Sequence, residues 1–587
     1  MKQFFKILFA SLFGAILGVL LLIVIVVAIV VGTSSASLSS SVNYKDKNVL
    51  VLKNVVSVGE ISTPNTPALF SGMDLNSKIG LIDFMRVLDC AAQDSKISGI
   101  VLDDVVFDAG YASIAEIADA LKRFKESGKF VVGHFNTLSQ KSYLVASVCD
   151  EISMNSEGMA EFHGISATSI HYKNLLEKVG LKPVVIRCGK YKSYVESVTA
   201  DKMSEENKEQ KQAYINDIWY SFARNASTYR NINVSQLNSF ADSVLVCTPK
   251  ELQAFGFIDR VQYADVFWQS VKKRMELPDD EKVSTISFRS YMDDCLLQME
   301  SDTAKANNIA VIIAQGSIDM GKSDEESIGS ETYVKLFEKV REDKSIQSVV
   351  FRINSGGGSA LASELIWREV SLTAQEKPVI VSMGDMAASG GYYIASPATK
   401  IVASPMALTG SIGVFGMSMT AENLMKKIGV SYDKVNTHSH SDFGNITRDM
   451  EPEELKAVEK SIDQTYATFK QRVSSGRGIS VDSVEVIAQG RVWSGEQAVK
   501  IGLVDTLGGV NTALLLAQNE AHLERGSYGI KIYPKSKTLF DEVFAKLDTQ
   551  SSVVEKLTDD VELQHILQNV PTESGIYAKL PYNILIK

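Results

Sequence analysis

Pro378-Val379-Ile380-Val381-Ser382-Met383-Gly384-Asp385-Met386-Ala387-Ala388-Ser389-Gly390-Gly391-Tyr392-Tyr393 is the stretch that decides how this chain is built. Pro378 to Gly384 is an apolar run with the length of a buried strand, and Tyr392, Ile394 and Ala395 open a helix. A serine at a strand-to-helix turn has its hydroxyl exposed, helix N–H groups around it, and glycines that let a substrate backbone come close. An isolated Ala-Ser-Gly-Gly is equally a turn that caps a helix. Upstream, however, Val349-Val350-Phe351-Arg352-Ile353 reads as a strand running into Asn354-Ser355-Gly356-Gly357-Gly358-Ser359, a second glycine-rich turn ahead of a helical segment, Ala360 to Leu372. Two adjacent strand ends, one offering free N–H groups and the other a serine, form an oxyanion hole facing a nucleophile.

Working outward, the chain contains itself twice. Ile97-Ser98-Gly99-Ile100-Val101-Leu102 answers Ile346-Gln347-Ser348-Val349-Val350-Phe351, Phe130-Val131-Val132-Gly133 answers Val379-Ile380-Val381-Ser382, and Leu175 to Gly180 answers Leu424 to Gly429. Every pair is separated by the same 249 positions (97 to 346, 130 to 379, 180 to 429). A constant offset over this length means a duplicated domain. Each copy alternates Val/Ile-rich strands with helical stretches, the pattern of a mostly parallel α/β sheet with crossover helices. Each also carries a long late helix, Ser204 to Ala226 and Glu453 to Ser474, placed to pack one copy on the next. Residues 279–307 join the copies. Beyond Gly526 the tail offers a strand at Ile530 to Tyr533, a helix from Thr538 to Leu547 and an apolar strand from Tyr582 to Ile586, with no function legible in it. The expected organisation is 1–45, 46–295, 296–520 and 521–587: anchor and tether, first copy, second copy and extension.

At 587 residues the chain exceeds a single core, and its net charge of −10 with no basic stripe argues against a nucleic-acid partner. The five cysteines have no metal-ligand spacing and read as core residues, with room for one disulfide in an oxidising compartment. Lys2 and Lys6 precede an uncharged run from Ile7 to Gly32, roughly 39 Å as a helix, which suffices to span a bilayer. The run is longer than the apolar region of a cleaved signal peptide, although the small residues Thr33 to Ser37 resemble a cleavage site. The N-terminal lysines place that end in the cytoplasm and the body outside it, tethered through Ser34 to Asn43.

The offset also compares the chemistry of the copies. Ser389 falls on Gln140, and Gly357 and Gly358 fall on Asp108 and Ala109, so the first copy has neither nucleophile nor oxyanion turn. It has instead Gly189-Lys190-Tyr191-Lys192-Ser193-Tyr194-Val195-Glu196 after the strand Val184 to Arg187, and Lys192 falls on Ser441. One copy holds the serine and the other a lysine. A free lysine, with a pKa near 10.4, is a poor base, but burial lowers that value until a neutral amine takes the hydroxyl proton. The rival bases are His438 and His440, in the loop that answers Lys192; as a metal pair they lack a third ligand.

The anchor, the tandem repeat, the Asn-Ser-x-Gly-Gly turn, the Ala-Ser-Gly-Gly-Tyr-Tyr turn and the Tyr-Lys-Ser-x-Val-Glu segment together resemble the signal peptide peptidase A (protease IV) family in its long form, over roughly Val49 to Gly509. The resemblance implies two tandem Clp protease/crotonase-like domains, Ser389 as nucleophile, Lys192 as general base, and the backbone amides of Gly357 and Gly390 as oxyanion donors, with no cofactor and no metal. It implies signal peptides and other apolar peptides as substrates at a membrane, and a ring-like homo-oligomer, a tetramer. Gly356 stands where that family commonly has proline, which leaves the N–H donors in place. The other readings are a crotonase-like acyl-thioester enzyme, disfavoured by an extracytoplasmic address, and a non-catalytic membrane scaffold.

Overall fold

Strands buried on both faces force helices onto both sides of a sheet, and the second copy's Asn308–Gln315, buried along nearly its whole length, is such a strand. The structure, a computed structural model, describes residues 44–63, 78–243, 246–301, 305–324, 326–534 and the backbone of 575–579, together with Gly14 and Gly18. The expected anchor, Ile7 to Gly32 apart from Gly14 and Gly18, and the expected tail elements 538–547 and 582–586 lie outside the described residues. Among the described residues no helix is long and apolar enough to cross a membrane.

Each copy builds its own α/β sheet. In the first, Ile79–Gly80, Asn48–Gly59, Ile97–Asp108, Phe130–Leu138 and Glu151–Glu161 lie side by side and parallel, with Val246–Cys247 antiparallel at the edge. In the second, Gly529–Tyr533, Asn308–Gln315, Ile346–Ser355, Val379–Ala388 and Leu408–Gly410 follow in parallel, closed by the antiparallel Val492–Ser494. Strands 97–108 and 130–138 hold the same neighbouring places as 346–355 and 379–388, as the repeat requires. The tail strand expected at 530–533 is present as Gly529–Tyr533 and completes the second sheet.

The copies interlock. Helix Tyr111–Lys125 of the first packs against strand Val379–Ala388 of the second, and one buried cluster takes in Phe107 and Tyr111 together with Val350, Ile380, Ala388 and Leu408. The two long helices, Glu205–Arg230 and Pro452–Arg477, start and stop where their chemistry dictates. The Ser204 hydroxyl caps the first, and the second has Pro452 in its first turn and ends at Gly478 in the left-handed conformation. Each reaches across: Glu205–Arg230 packs on Val492–Ser494, and Pro452–Arg477 packs on Lys182–Cys188. The joining segment holds strand Thr285–Ser287 and helix Phe288–Ser301, which packs on helix Leu81–Gln93 and is tied to it by a disulfide between Cys90 and Cys295. These two cysteines are therefore cross-linked, while Cys149 is free and buried and Cys188 free and half-buried.

A third sheet belongs to neither copy. Its order is Ser327–Gly329, Ser317–Asp319, Gly357–Ser359, Gly575–Lys579, Val414–Thr420 and Lys182–Cys188. The last strand comes from the first copy and pairs antiparallel with Val414–Thr420 of the second over seven residues, from Cys188 opposite Val414 to Lys182 opposite Thr420. This strand exchange brings the lysine segment to the serine.

Candidate active site

Strand Val379–Ala388 runs directly into Ser389, whose backbone, at φ 55° and ψ −117°, lies in a region that non-glycine residues seldom occupy. The turn is held from both sides. Ser389 N–H donates to the Gly410 carbonyl (2.8 Å), and the Ser389 carbonyl accepts from Tyr393 N–H (2.8 Å) in the short helix Gly390–Ala395. The neighbouring strand Ile346–Ser355 ends two residues before Gly357, whose φ of 94° only glycine adopts without strain. Gly357 N–H donates to Ser355 Oγ (3.1 Å), which in turn donates to the Gly316 carbonyl (2.6 Å). Gly390 stands first in its helix, where backbone N–H groups have no partner within the helix. The two glycine-rich turns are thus adjacent, and an oxyanion drawing on Gly357 would take over the N–H that Ser355 now accepts.

Lys192 follows strand Lys182–Cys188 and precedes the 3-10 turn Ser193–Val195. Its side chain has no exposed surface, and Nζ lies 2.7 Å from Ser389 Oγ, 3.0 Å from Ser411 Oγ and 3.0 Å from the Ser411 carbonyl oxygen. These partners are two hydroxyls and a carbonyl, with no carboxylate among them. Burial without a counter-charge pushes the Lys192 ammonium well below the usual lysine range, which favours the neutral amine. The segment is pinned to the second copy: Tyr191 N–H donates to the Gln489 carbonyl (2.9 Å). Gln210 Nε2 donates to the Tyr191 carbonyl (3.0 Å) and Ser193 Oγ (3.1 Å), while its Oε1 accepts from Val492 N–H (3.1 Å). Gly490 allows this approach, since a Cβ there would sit 2.7 Å from Lys192 Cβ.

Ser389 and Lys192 therefore meet, with Gly357 and Gly390 in the turns beside them. The histidines do not join them. His438 and His440 lie in an exposed loop, His438 Nδ1 against Thr437 Oγ1 (3.1 Å) and His440, 44 % exposed, facing Glu451 and Glu454 at 3.4 Å each. Sequence reasoning missed Ser411. It too has positive φ, 49°, and its N–H donates to the Arg491 carbonyl (2.7 Å), so that hydroxyl and carbonyl both face Lys192. The small-residue run Gly410-Ser411-Ile412-Gly413 was the available signal.

A buried hydroxyl, a buried amine whose pKa burial lowers, and amide donors in one place are the parts of acyl transfer through a serine ester. Comparison with known proteins points the same way. The profile described as peptidase family S49 matches twice, over residues 123–278 and 371–524. Protease 4 of Haemophilus influenzae is 36 % identical over 462 residues, covering 76 % of this chain and 74 % of that protein. Protease 4 of Salmonella typhi is 35 % identical over 473 residues, 79 % of this chain and 75 % of its own length. The chloroplastic serine protease SPPA of Arabidopsis thaliana is 33 % identical over 453 residues, 76 % of this chain and 67 % of the plant protein.

Proposed function

The chain belongs to peptidase family S49 and is a serine protease of the protease 4 type with a duplicated S49 region, and we propose that it is a Ser/Lys endopeptidase whose nucleophile is Ser389 and whose general base is Lys192. The observation that carries this reading is the 2.7 Å separation of Lys192 Nζ from Ser389 Oγ in a site where burial lowers the lysine's pKa. In the proposed sequence, Lys192 takes the hydroxyl proton as Ser389 Oγ attacks a peptide carbonyl. The Gly357 and Gly390 amides hold the oxyanion, and Lys192 then protonates the leaving amine. Lys192 then takes a proton from water, the hydroxide attacks the ester carbonyl, and as the acyl–oxygen bond to Ser389 breaks Lys192 returns its proton to Ser389 Oγ, releasing the acyl product. Ser411 orients Lys192 through its hydroxyl and carbonyl.

The substrates we propose are apolar, extended peptides, with signal peptides as the natural class. An extended chain is held by backbone pairing and read by side-chain pockets, and a protein of Enterococcus faecium that is 31 % identical over 209 residues is described as a putative signal peptide peptidase SppA. The proposed address is a membrane anchored through Ile7 to Gly32, with the body on the extracytoplasmic side as a ring-like homotetramer and each copy of the Clp protease/crotonase-like type. Support for the address is the length of the apolar run and the two lysines ahead of it.

The test of the base is Lys192→Arg against His440→Ala. A guanidinium stays protonated, so Lys192→Arg is expected to lower kcat/KM on an apolar peptide by about 100- to 10,000-fold, with His440→Ala near wild type. Wild-type turnover in Lys192→Arg would overturn the assignment.

A further inference from the structure

We propose that the chain's own strand Gly575–Lys579 occupies the groove in which a peptide substrate is held, and that the enzyme is thereby self-inhibited; this rests on the reading of Ser389 and Gly357 given above. The strand lies between Gly357–Ser359 and Val414–Thr420 and is antiparallel to both. Gly357, Gly358 and Ser359 face Lys579, Ala578 and Tyr577, while Phe415, Gly416 and Met417 face Tyr577, Ile576 and Gly575. The two flanking strands pair with this strand and not with each other, so they are two strand spacings, about 9.5 Å, apart. Taking the strand away leaves a slot one strand wide, with unpaired backbone groups along both walls, which is a site for an added extended peptide.

The slot also has a direction. Both registers bring the C-terminal end of the occupying strand to the reacting groups: Lys579 faces Gly357, the oxyanion turn, and Val414, where the other wall begins, follows Ser411, the residue against Lys192. A substrate in the same direction lays the residues ahead of its scissile bond antiparallel to both walls and delivers the next carbonyl to Ser389. The tail strand therefore fills the acyl-side half of the groove. A connection of 41 residues, 534–574, joins it to the second sheet's strand Gly529–Tyr533. The inhibitor is thus covalently tethered, and an effective concentration about ten times its free-strand Kd raises the apparent KM about tenfold.

Proline at position 578 removes an N–H from inside the strand, opposite Gly358. In the full chain, Ala578→Pro is expected to raise kcat/KM on an internally quenched apolar peptide about tenfold, through KM with little change in kcat. A synthetic peptide of residues 574–579 is expected to inhibit that variant competitively. As a second readout that needs no substitution in the tail, hydrogen exchange of amides 575–579 in the full-length Ser389→Ala chain is expected to quicken when a saturating apolar peptide is added. Unchanged kcat/KM in Ala578→Pro, no competition by the peptide, or unchanged exchange overturns the inference. If Ser389→Ala is inactive and any of those results is obtained, the tail inference alone fails; if Ser389→Ala turns over substrate, the assignment of the site fails and takes this inference with it.

Discussion

Lys192 is expensive to bury, and the cost has a sign that can be measured. Its folded pKa lies below the ordinary value of 10.5, so between the two values the unfolded chain binds one more proton and stability rises with pH. Lys192→Met, similar in volume and without charge, is expected to unfold at a higher temperature than wild type at pH 7. That advantage should shrink as pH climbs towards 10.5. Activity of the wild type is expected to run the same way for a different reason: with Lys192 as the proposed base, kcat/KM rises with pH through its folded pKa, as the amine loses its proton. Ser411→Ala keeps the carbonyl contact to Lys192 but loses the hydroxyl, and a misaligned amine is expected to lower kcat by on the order of 10- to 100-fold. A KM that moves instead of kcat would place Ser411 in substrate binding. At this scale Ser389 and Lys192 were legible because the repeat makes each conspicuous by its absence from the other copy. Ser411 was not, because its role depends on a positive φ and on a turn that only the folded Arg491 carbonyl fixes.

Elements, not side chains alone, bring the two halves of the site together. Among the described residues the expected strands and helices are present, and several are longer than their apolar runs: Val379–Ala388 continues through Asp385 to the Ser389 turn, and Ala360–Glu376 outlasts Leu372. What periodicity cannot report is partnership. Strand Lys182–Cys188 has no apolar pattern that distinguishes its own sheet from the second copy's, and its pairing with Val414–Thr420 spans more than 200 positions. Asp385 is a similar case. Within its own copy it looks like a turn residue, yet its carboxylate accepts from Ala112 N–H (2.9 Å), Ser113 N–H (3.2 Å) and Ser113 Oγ (2.6 Å), capping the helix Tyr111–Lys125 of the first copy. Removing this cap with Asp385→Ala is expected to cost about 1 kcal/mol, read as a lower denaturation midpoint. The disulfide between Cys90 and Cys295 clips the joining helix to the first copy across 205 positions. Cys295→Ser is expected to cost about 2–5 kcal/mol, and the same loss should follow reduction of the wild type but not of the variant. Equal sensitivity of both to reductant would show that the two cysteines are not bridged.

Across the whole molecule, the duplicated copies share buried charge as well as chemistry. Arg352, wholly buried on the strand that leads to the Gly357 turn, donates through Nε to Glu60 (2.9 Å) and through Nη1 to Glu116 (2.8 Å), both in the first copy. Glu116 in turn accepts from Val510 N–H (2.6 Å) of the second. Such a network adds little net stability, but losing one member leaves charges stranded in the interior. Arg352→Ala is therefore expected to cost about 3–5 kcal/mol, measured by chemical denaturation. It should also lower activity, because the same strand leads into the turn at Gly357. Fold class and duplication were open to reading from the 249-residue offset, whereas the interlock was not, since Glu60, Glu116 and Arg352 have no counterpart pattern that pairs them in sequence. The central claim is that one chain, through its two copies, completes one Ser389–Lys192 site. The measurement that tests it most directly is peptidase activity of Ser389→Ala and Lys192→Ala full chains co-expressed so that any oligomer is mixed. Each alone and the mixture are expected to be inactive, because a chain lacking either residue has no complete site of its own; recovery of activity in the mixture would show that the serine of one chain works with the lysine of another and would contradict the account.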